Sequence, residues 1–152
     1  MKKVLMGMAL VMCMVFGVVC MAQASPMDDA KAMTEKAVAF LKANGKEKAF
    51  AEFNNPQGQF VKGELYVYVQ SFEGVILAHG GNTKLIGQNH LDVKDPSGKL
   101  FVKEQLSLIK SKGSGWVDYV WTNPATKKVQ PKKTWIMKVD GADMWVGCGV
   151  FQ

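Results

Sequence analysis

The chain of 152 residues contains no arginine, so all 19 of its basic residues are lysines. The lysines are scattered between acidic residues, and the formal net charge is +6. Proteins that bind nucleic acid usually present a denser basic patch in which arginine makes paired hydrogen bonds to phosphates or bases. The pattern indicates a solvated surface, and nucleic acid is not an expected partner.

Cysteine is also scarce. Cys13 and Cys20 lie in an apolar N-terminal stretch, which leaves Cys148 as the only other cysteine. If that stretch is removed, no intramolecular disulfide can form, and the CxxCH signature of haem attachment is absent. A lone cysteine within the apolar run MWVGCGV is typical of a small core residue. No disulfide, metal site or cofactor is therefore predicted.

The motifs of common enzyme classes are missing too. The chain has no GxSxG elbow, no HExxH, no phosphate-binding loop and no glycine fingerprint after a strand. Two histidines, His79 and His90, and one cysteine give no convincing triad or zinc set. Carboxylates are present, but no spacing identifies a paired acid and base. We therefore predict that the protein is not an enzyme.

The first 24 residues have the features of a secretory signal peptide. Lys2 and Lys3 precede an uncharged apolar stretch over residues 4–19, and Ala22-Gln23-Ala24 forms a small-x-small cleavage site. We expect residues 1–24 to be removed and residues 25–152 to form one periplasmic or secreted domain. An uncleaved anchor is one alternative, because the stretch is at the short end of what spans a bilayer. Acylation at Cys20 is another, although valines precede that cysteine where small residues are expected.

The rest of the chain alternates between helical and strand patterns. Ser25-Pro26 and two aspartates open an amphipathic helix of about five turns, which ends at Asn44-Gly45. KEKAFAEF predicts a short second helix, and QFVKGELYVYVQSF with VILAHG predicts a hairpin. A loop rich in Gly, Asn and Asp comes next, with a helix beginning near Asp95-Pro96. Residues 115–152 read as three strands that hold all four tryptophans. This order indicates an α+β layer in which a five-stranded antiparallel sheet is covered by the long N-terminal helix and shorter helices.

These segments resemble the single Cache domains of subtype 2, which are extracytoplasmic PAS-like sensor modules of chemoreceptors and sensor kinases. The resemblance covers essentially all of residues 25–152. It is carried by the tyrosine-bearing strand GELYVYVQSF, by the LAHG and LIGQN segments after it, and by GWVDYVWTNP with the later Lys-Lys-Thr-Trp. It implies a PAS-like sheet whose pocket takes a small ligand, commonly acetate, propionate, pyruvate or lactate. No second transmembrane helix or output domain follows the matched region, so we expect a free-standing exported binding domain.

A carboxylate pocket needs a cation, hydrogen-bond donors and aromatic walls. Lys132 and Lys133 point to opposite faces of one strand, and the family pattern together with Trp135 and Met137 favours Lys133; a solvated lysine is the alternative. His79 ends a strand, where its ring could bind a carboxylate or simply cap the turn. Tyr119 shares a face with Trp121, and a tyrosine of the first strand adds a hydroxyl, although core packing is the ordinary role of each aromatic. The candidate ligand-binding residues are Tyr68, His79, Trp116, Tyr119, Trp121 and Lys133.

The expected function is that of a sensory or binding module. It would capture a small organic carboxylate and present the liganded state to a membrane receptor or kinase, as a monomer or weak homodimer. The alternative is a structural or accessory envelope protein whose pocket is filled by its own side chains. A third hypothesis, a small hydrolase, would require an activity that depends on His79.

Overall fold

The computed structural model describes residues 24–152. Of the expected leader it includes only Ala24, so the predicted cleavage and the alternative of an anchor lie outside the described residues. Residues 24–152 contain three α-helices and six strands, one strand more than the sequence predicts. The helices are α1 (Pro26–Asn44), α2 (Lys46–Phe53) and α3 (Phe101–Lys112), with a 3-10 turn at Thr83–Leu85. The strands are β1 (Val61–Lys62), β2 (Leu65–Ser71), β3 (Ile76–His79), β4 (Ser114–Thr122), β5 (Val129–Lys138) and β6 (Met144–Phe151).

The strands form one antiparallel sheet in the order β1, β2, β6, β5, β4, and β3 pairs with β2 on the side away from β6. The two C-terminal hairpin partners, β4 and β5, are in register over nine residue pairs. The α+β prediction is confirmed. The difference from five strands is that the predicted first strand contains two, the short β1 and the longer β2.

Helix α1 covers one face of the sheet. It starts where the sequence indicates, because the Ser25 side chain accepts from the Asp28 backbone N–H while the Asp28 carboxylate accepts from the Ser25 N–H. Ala37, Val38 and Leu41 are buried on its inner face. They pack on β2 and β6 with Val67, Val69, Val146, Cys148 and Val150. The lone cysteine is thus a buried core residue, as its sequence context predicts.

Helix α3 covers part of the other face, against β4 and β5, where Val102 and Ile109 pack with Ile136. It begins at Phe101, so the predicted start near Asp95-Pro96 is wrong. Residues 95–98 instead form a tight turn, in which the Gly98 N–H donates to the Asp95 carbonyl at 2.8 Å and the Asp95 Oδ1 accepts from the N–H groups of Ser97 and Lys99. Gly98 has a φ of 86°, which lies outside the helical region, so the helix begins only after this turn.

Candidate functional site

The site lies on the α3 side of the sheet, between the strands, the start of α3 and the long loop that precedes it. Alternation along the strands places Tyr66, Tyr68 and Gln70 of β2 on this side with Lys132 of β5. Other strands, the loop and the helix supply the remaining walls of a cavity, which we call the inner cavity. Its other lining residues are Ile76, His79, His90, Phe101, Tyr119 and Trp121.

Two glycines of β6 let side chains from β2 and β5 meet above the strand that separates them. A Cβ atom at Gly147 would lie 2.6 Å from the Tyr68 ring. A Cβ atom at Gly149 would lie 2.8 Å from the Cε of Lys132 and closer still to the Thr134 Oγ1. The GCG sequence therefore leaves a strip without side chains on this face, while Cys148 between them points into the α1 core.

Lys132 is the charged residue of the inner cavity and is 2% exposed. Its Nζ donates to the Tyr66 hydroxyl at 2.6 Å and lies 4.0 Å from the Tyr66 ring centre and 4.6 Å from that of Phe151. Within residues 24–152 it forms no ion pair with a carboxylate. Burial lowers the pKa of Lys132 to about 7. The aromatic faces replace only part of the lost hydration, so this ammonium is incompletely solvated.

His79 presents a hydrogen-bond donor to the same space. Its Nδ1 accepts from the Asn82 backbone N–H at 2.9 Å, so the neutral ring carries its proton on Nε2. Burial, with a smaller contribution from the nearby Lys132 charge, lowers the pKa of His79 to about 3. The imidazole therefore stays neutral near pH 7 and acts as a donor through Nε2 rather than as a cation.

The tyrosine hydroxyls of the cavity differ in what they offer. Burial raises the pKa of Tyr66 and Tyr68 well above the usual value and that of Tyr119 to about 12, so all three remain neutral. The Tyr68 hydroxyl donates to Gln105 Oε1 of α3 at 3.0 Å, and the Tyr119 hydroxyl accepts from Thr134 at 3.2 Å. Because the Tyr66 oxygen accepts from Lys132, its own proton is directed elsewhere and can bind an anion beside that lysine.

The inner cavity is small. The space open to the centre of a water molecule is about 20 Å³, and one water needs roughly 10–15 Å³ on that measure. A second depression of about 520 Å³ lies against it, and we call it the outer groove. Tyr66, His79 and Trp121 line both spaces and separate one from the other. The inner cavity therefore contains the buried charge, whereas the outer groove has the larger volume.

The structure brings four of the six predicted site residues together, since Tyr68, His79, Tyr119 and Trp121 all line the inner cavity. Tyr119 stacks on Phe101 with ring centres 4.6 Å apart, and Trp121 stands against the same phenylalanine at 5.5 Å. These contacts place the predicted β4 aromatics on the α3 side of the sheet. Their role in ligand binding stays a prediction.

Trp116 and Lys133 do not line either space. Trp116 faces α1, with its ring centre 5.3 Å from that of Trp135, and Lys133 makes an ion pair with Asp118 at 3.4 Å. The prediction that Lys133 rather than Lys132 faces the pocket is therefore wrong. The prediction failed because Trp135 and Met137 pack against α1. Lys133 lies on the same face of β5 as these two residues and therefore faces away from the cavity.

Sequence reasoning missed several lining residues besides Lys132. His90 lies in a polar loop that gives no sign of burial, yet it is 7% exposed, because its backbone N–H donates to Gly74 O and its ring lies near Trp121. Phe101 was not recognised as a lining residue, because the predicted start of α3 lies too early in the sequence. Gln70 could have been predicted as a lining residue, because alternation places it on the same face of β2 as Tyr66 and Tyr68.

The described part of the chain holds no cluster of three or more histidine, cysteine or acidic side chains that could bind a metal ion. None of the helices in residues 24–152 combines the length and apolarity needed to cross a bilayer. The inner cavity is lined by hydrogen-bonding side chains, the Lys132 ammonium and aromatic walls.

A PAS-like sheet with a small pocket between its face and a helix is the architecture of sensory ligand-binding domains. The sequence profile of the family Single Cache domain 2 matches residues 30–152, and the chain belongs to this family of extracytoplasmic sensory domains.

Two solved structures and one curated protein are similar to this chain. The chain is similar to a periplasmic sensor domain of a chemotaxis protein, with 25% identity and a TM-score of 0.65 over 82% of this chain and 88% of that one. It is also similar to a Cache chemosensory domain whose structure was described as the basis of carboxylic acid recognition, with 25% identity and a TM-score of 0.64 over 81% and 86%.

The curated relative is the sensor histidine kinase MctS of Rhizobium johnstonii, which is 29% identical over 86 residues. Those residues are 57% of this chain, and the match spans 18% of the length of the kinase. The similarity therefore concerns less than a fifth of the kinase and not the kinase as a whole.

Proposed function

We propose that this domain is an exported sensor that binds a small organic carboxylate in the inner cavity, with Lys132 as the cation that pairs with it. The observation that carries the proposal is the buried Lys132 ammonium, which has no carboxylate partner among residues 24–152. A buried charge without a counter-ion is costly, and an anionic ligand would supply the missing partner.

The groups around Lys132 support a carboxylate rather than another anion. The Tyr66 hydroxyl beside the ammonium and the Nε2–H of His79 add two neutral donors, and a carboxylate has two oxygens able to accept from them. Phe101, Tyr119 and Trp121 form walls that suit the short apolar part of an organic acid. The similarity to a domain studied for carboxylic acid recognition points in the same direction.

The similarity to sensor domains of a chemotaxis protein and a histidine kinase supports the rest of the proposal. In it, the liganded domain is recognised by a membrane receptor or kinase. The small volume of the inner cavity favours the competing view, in which the domain binds a protein partner and its pocket is filled by its own side chains. The two are separated by asking whether small acids bind at all.

The test is thermal unfolding of the protein with acetate, propionate, pyruvate or lactate at millimolar concentration. A ligand at a hundred times its Kd adds about 2.7 kcal/mol to the free energy of unfolding, which is a readily measured rise in Tm. We expect at least one acid to raise the Tm of the wild type and to have no effect on Lys132→Met.

Lys133→Met is the matched control, because this lysine is the neighbour of Lys132 on the same strand but points to the other face. It should keep the ligand response. Unchanged melting of the wild type across all four acids would refute the proposal and favour the protein-partner view.

A further inference from the structure

The outer groove has no role in the proposed function, yet it adjoins the inner cavity and is much larger. Tyr66, His79 and Trp121 line both spaces. One rim is the turn after β3, which carries Lys84, and the other is the turn between β4 and β5, which carries Lys127. A ligand that entered the inner cavity from the groove would pass between these rims.

The volume of the inner cavity limits what can enter it. Space for one or two waters is enough for a carboxylate head beside Lys132, but not for a longer acid in full. Any further atoms of a longer ligand must then lie on the groove side of the three shared side chains, in a space of about 520 Å³. The chemistry of the groove therefore decides which groups a ligand can carry beyond its first carboxylate.

That chemistry is cationic and polar. Lys84 and Lys127 are exposed, and neither forms an ion pair within the described part of the chain. Neither the inner cavity nor the groove is lined by an aspartate or glutamate from residues 24–152. With Lys132, three lysines thus lie along one path, and no acidic side chain among the lining residues neutralises them.

Both rims are held in place by hydrogen bonds. The Asn82 side chain accepts from the Lys84 N–H at 3.1 Å, and the Asn82 N–H is bound to the ring of His79 in the inner cavity. Lys127 has a positive φ of 61°, in a turn where its N–H donates to the carbonyl of the fully buried Asn123 at 2.8 Å. A residue other than glycine in this conformation is uncommon, and here it sets where the Lys127 side chain leaves the turn.

We propose that the ligand is an extended acid with two anionic groups, one bound to Lys132 in the inner cavity and the other between Lys84 and Lys127 in the outer groove. This rests on the proposed function, because it takes the carboxylate at Lys132 as given. The ligand class is then a dicarboxylate, with its connecting carbons lying against His79 and Trp121. Monocarboxylates bind only through the inner head group, and therefore more weakly.

The test compares dicarboxylates with monocarboxylates of equal length by calorimetric titration of the protein near pH 6.5. The pairs are succinate with butyrate, glutarate with pentanoate and adipate with hexanoate. Exposed ion pairs contribute about 0.2–1 kcal/mol each, so two rim lysines should make one of the dicarboxylates about twofold to thirtyfold tighter than its partner. That preference should shrink as salt is added, because the rim charges are exposed to screening.

The variant Lys84→Gln/Lys127→Gln should remove the preference and leave the monocarboxylate affinities unchanged. Lys94→Gln/Lys128→Gln is the matched control, since it removes two exposed lysines, one from each of the same two loops, that do not line the groove. This control should retain the preference.

The two proposals fail in different ways. If monocarboxylates bind as tightly as their partners, or if Lys84→Gln/Lys127→Gln leaves the preference intact, the two-anion ligand is refuted while the carboxylate site at Lys132 stands. If no acid of either series binds, the two-anion ligand is refuted, and the carboxylate site at Lys132 is refuted as well only if acetate, propionate, pyruvate and lactate leave the Tm unchanged.

Discussion

Lys132 is buried at a cost to the stability of the free protein. Its stem crosses β6 above Gly149, and its ammonium ends between Tyr66 and Phe151 with no carboxylate partner in the described chain. The aromatic rings and one phenol oxygen solvate the charge incompletely, which is why burial lowers the pKa of Lys132 to about 7. An anion in the inner cavity would reverse that shift, because it stabilises the charged form.

This gives a prediction for the pH dependence of stability without ligand. The pKa of Lys132 is about 7 in the folded protein and 10.5 by its ordinary value, so the unfolded chain binds more protons between these limits. The free energy of unfolding of the wild type should therefore rise with pH from about pH 7 to about pH 8, by at most about 1.4 kcal/mol per pH unit from this group. The range stops short of the ordinary pKa of Cys148, which is 9.0, because burial raises the pKa of that thiol to about 12 in the folded protein and its ionisation in the unfolded chain would act in the opposite direction.

Denaturant unfolding at several pH values measures this slope. Lys132→Met should flatten the curve, whereas Lys133→Met should leave it as in the wild type, because Lys133 is partly exposed and paired with Asp118. An equal slope in the Lys132→Met variant would show that the lysine is not the group responsible.

At the scale of elements, β6 is the strand on which the site depends, although it contributes no polar side chain to it. It lies between β2 and β5, and its two glycines allow Tyr68 and Lys132 to lie flat across it. Glycine weakens a strand, because it has no side chain to pack and loses more backbone freedom on folding. The strand is nevertheless central, with Val146 and Val150 holding it to the α1 core.

Gly149→Ala should therefore affect both stability and ligand binding. Its methyl group would meet the Thr134 hydroxyl and lie 2.8 Å from Lys132 Cε, so both side chains must shift. Overpacking of this kind costs about 1–3 kcal/mol, and the displaced ammonium should bind carboxylates more weakly.

Chemical denaturation and ligand titration measure the two effects of Gly149→Ala separately. Val150→Ala is the control on the same strand, because its side chain faces α1; it should lower stability and leave ligand affinity unchanged. If Gly149→Ala binds carboxylates as tightly as the wild type, the need for an open strip above β6 is disproved.

At the scale of the whole molecule, β4 is an edge strand of the sheet within residues 24–152, since among them it pairs only with β5 along its nine residues. Unpaired edges invite association with other strands. The loop before α3 covers part of this edge, because the Val120 N–H donates to Asp95 Oδ2 at 2.8 Å and the Lys99 ammonium donates to the Asp118 carbonyl. The same loop also contributes His90 to the inner cavity. It therefore both covers the edge strand β4 and forms part of the site.

Asp95→Asn tests this arrangement. Burial alone would raise the pKa of Asp95, but the hydrogen bonds from Ser97, Val120 and Lys99 outweigh it and hold the pKa below its usual value. An asparagine that keeps its oxygen toward Ser97 and Lys99 turns an N–H₂ donor toward the Val120 N–H. We expect a loss of about 1–3 kcal/mol in stability and concentration-dependent self-association through β4.

Denaturation and sedimentation velocity measure these two outcomes. Asp92→Asn is the control, because Asp92 is exposed and its ion pair with Lys103 contributes little. An Asp95→Asn protein that is as stable and as monodisperse as this control would contradict the proposed role of the loop.

Apart from the start of α3 and the separate short strand β1, the helices and strands of this protein could be predicted from its sequence alone. These elements depend on interactions between residues that are close in sequence. Such interactions set the alternation of side chains in β2, β4 and β5, the capping residues of α1 and the turns between the strands, so local chemistry is enough to predict them. The same patterns predicted that Tyr68, His79, Tyr119 and Trp121 belong to one site, and the structure places all four around one cavity.

The face of each strand that looks into that cavity, by contrast, depends on the packing of the whole domain. Both faces of this sheet are covered, by α1 on one side and by α3 with its loop on the other, so aromatic and aliphatic residues occur on both and alternation cannot tell them apart. Trp135 lies on the α1 face, and Lys132 rather than Lys133 therefore enters the cavity. His90 enters it through backbone contacts between the loop and the turn after β2, which no spacing along the chain could indicate.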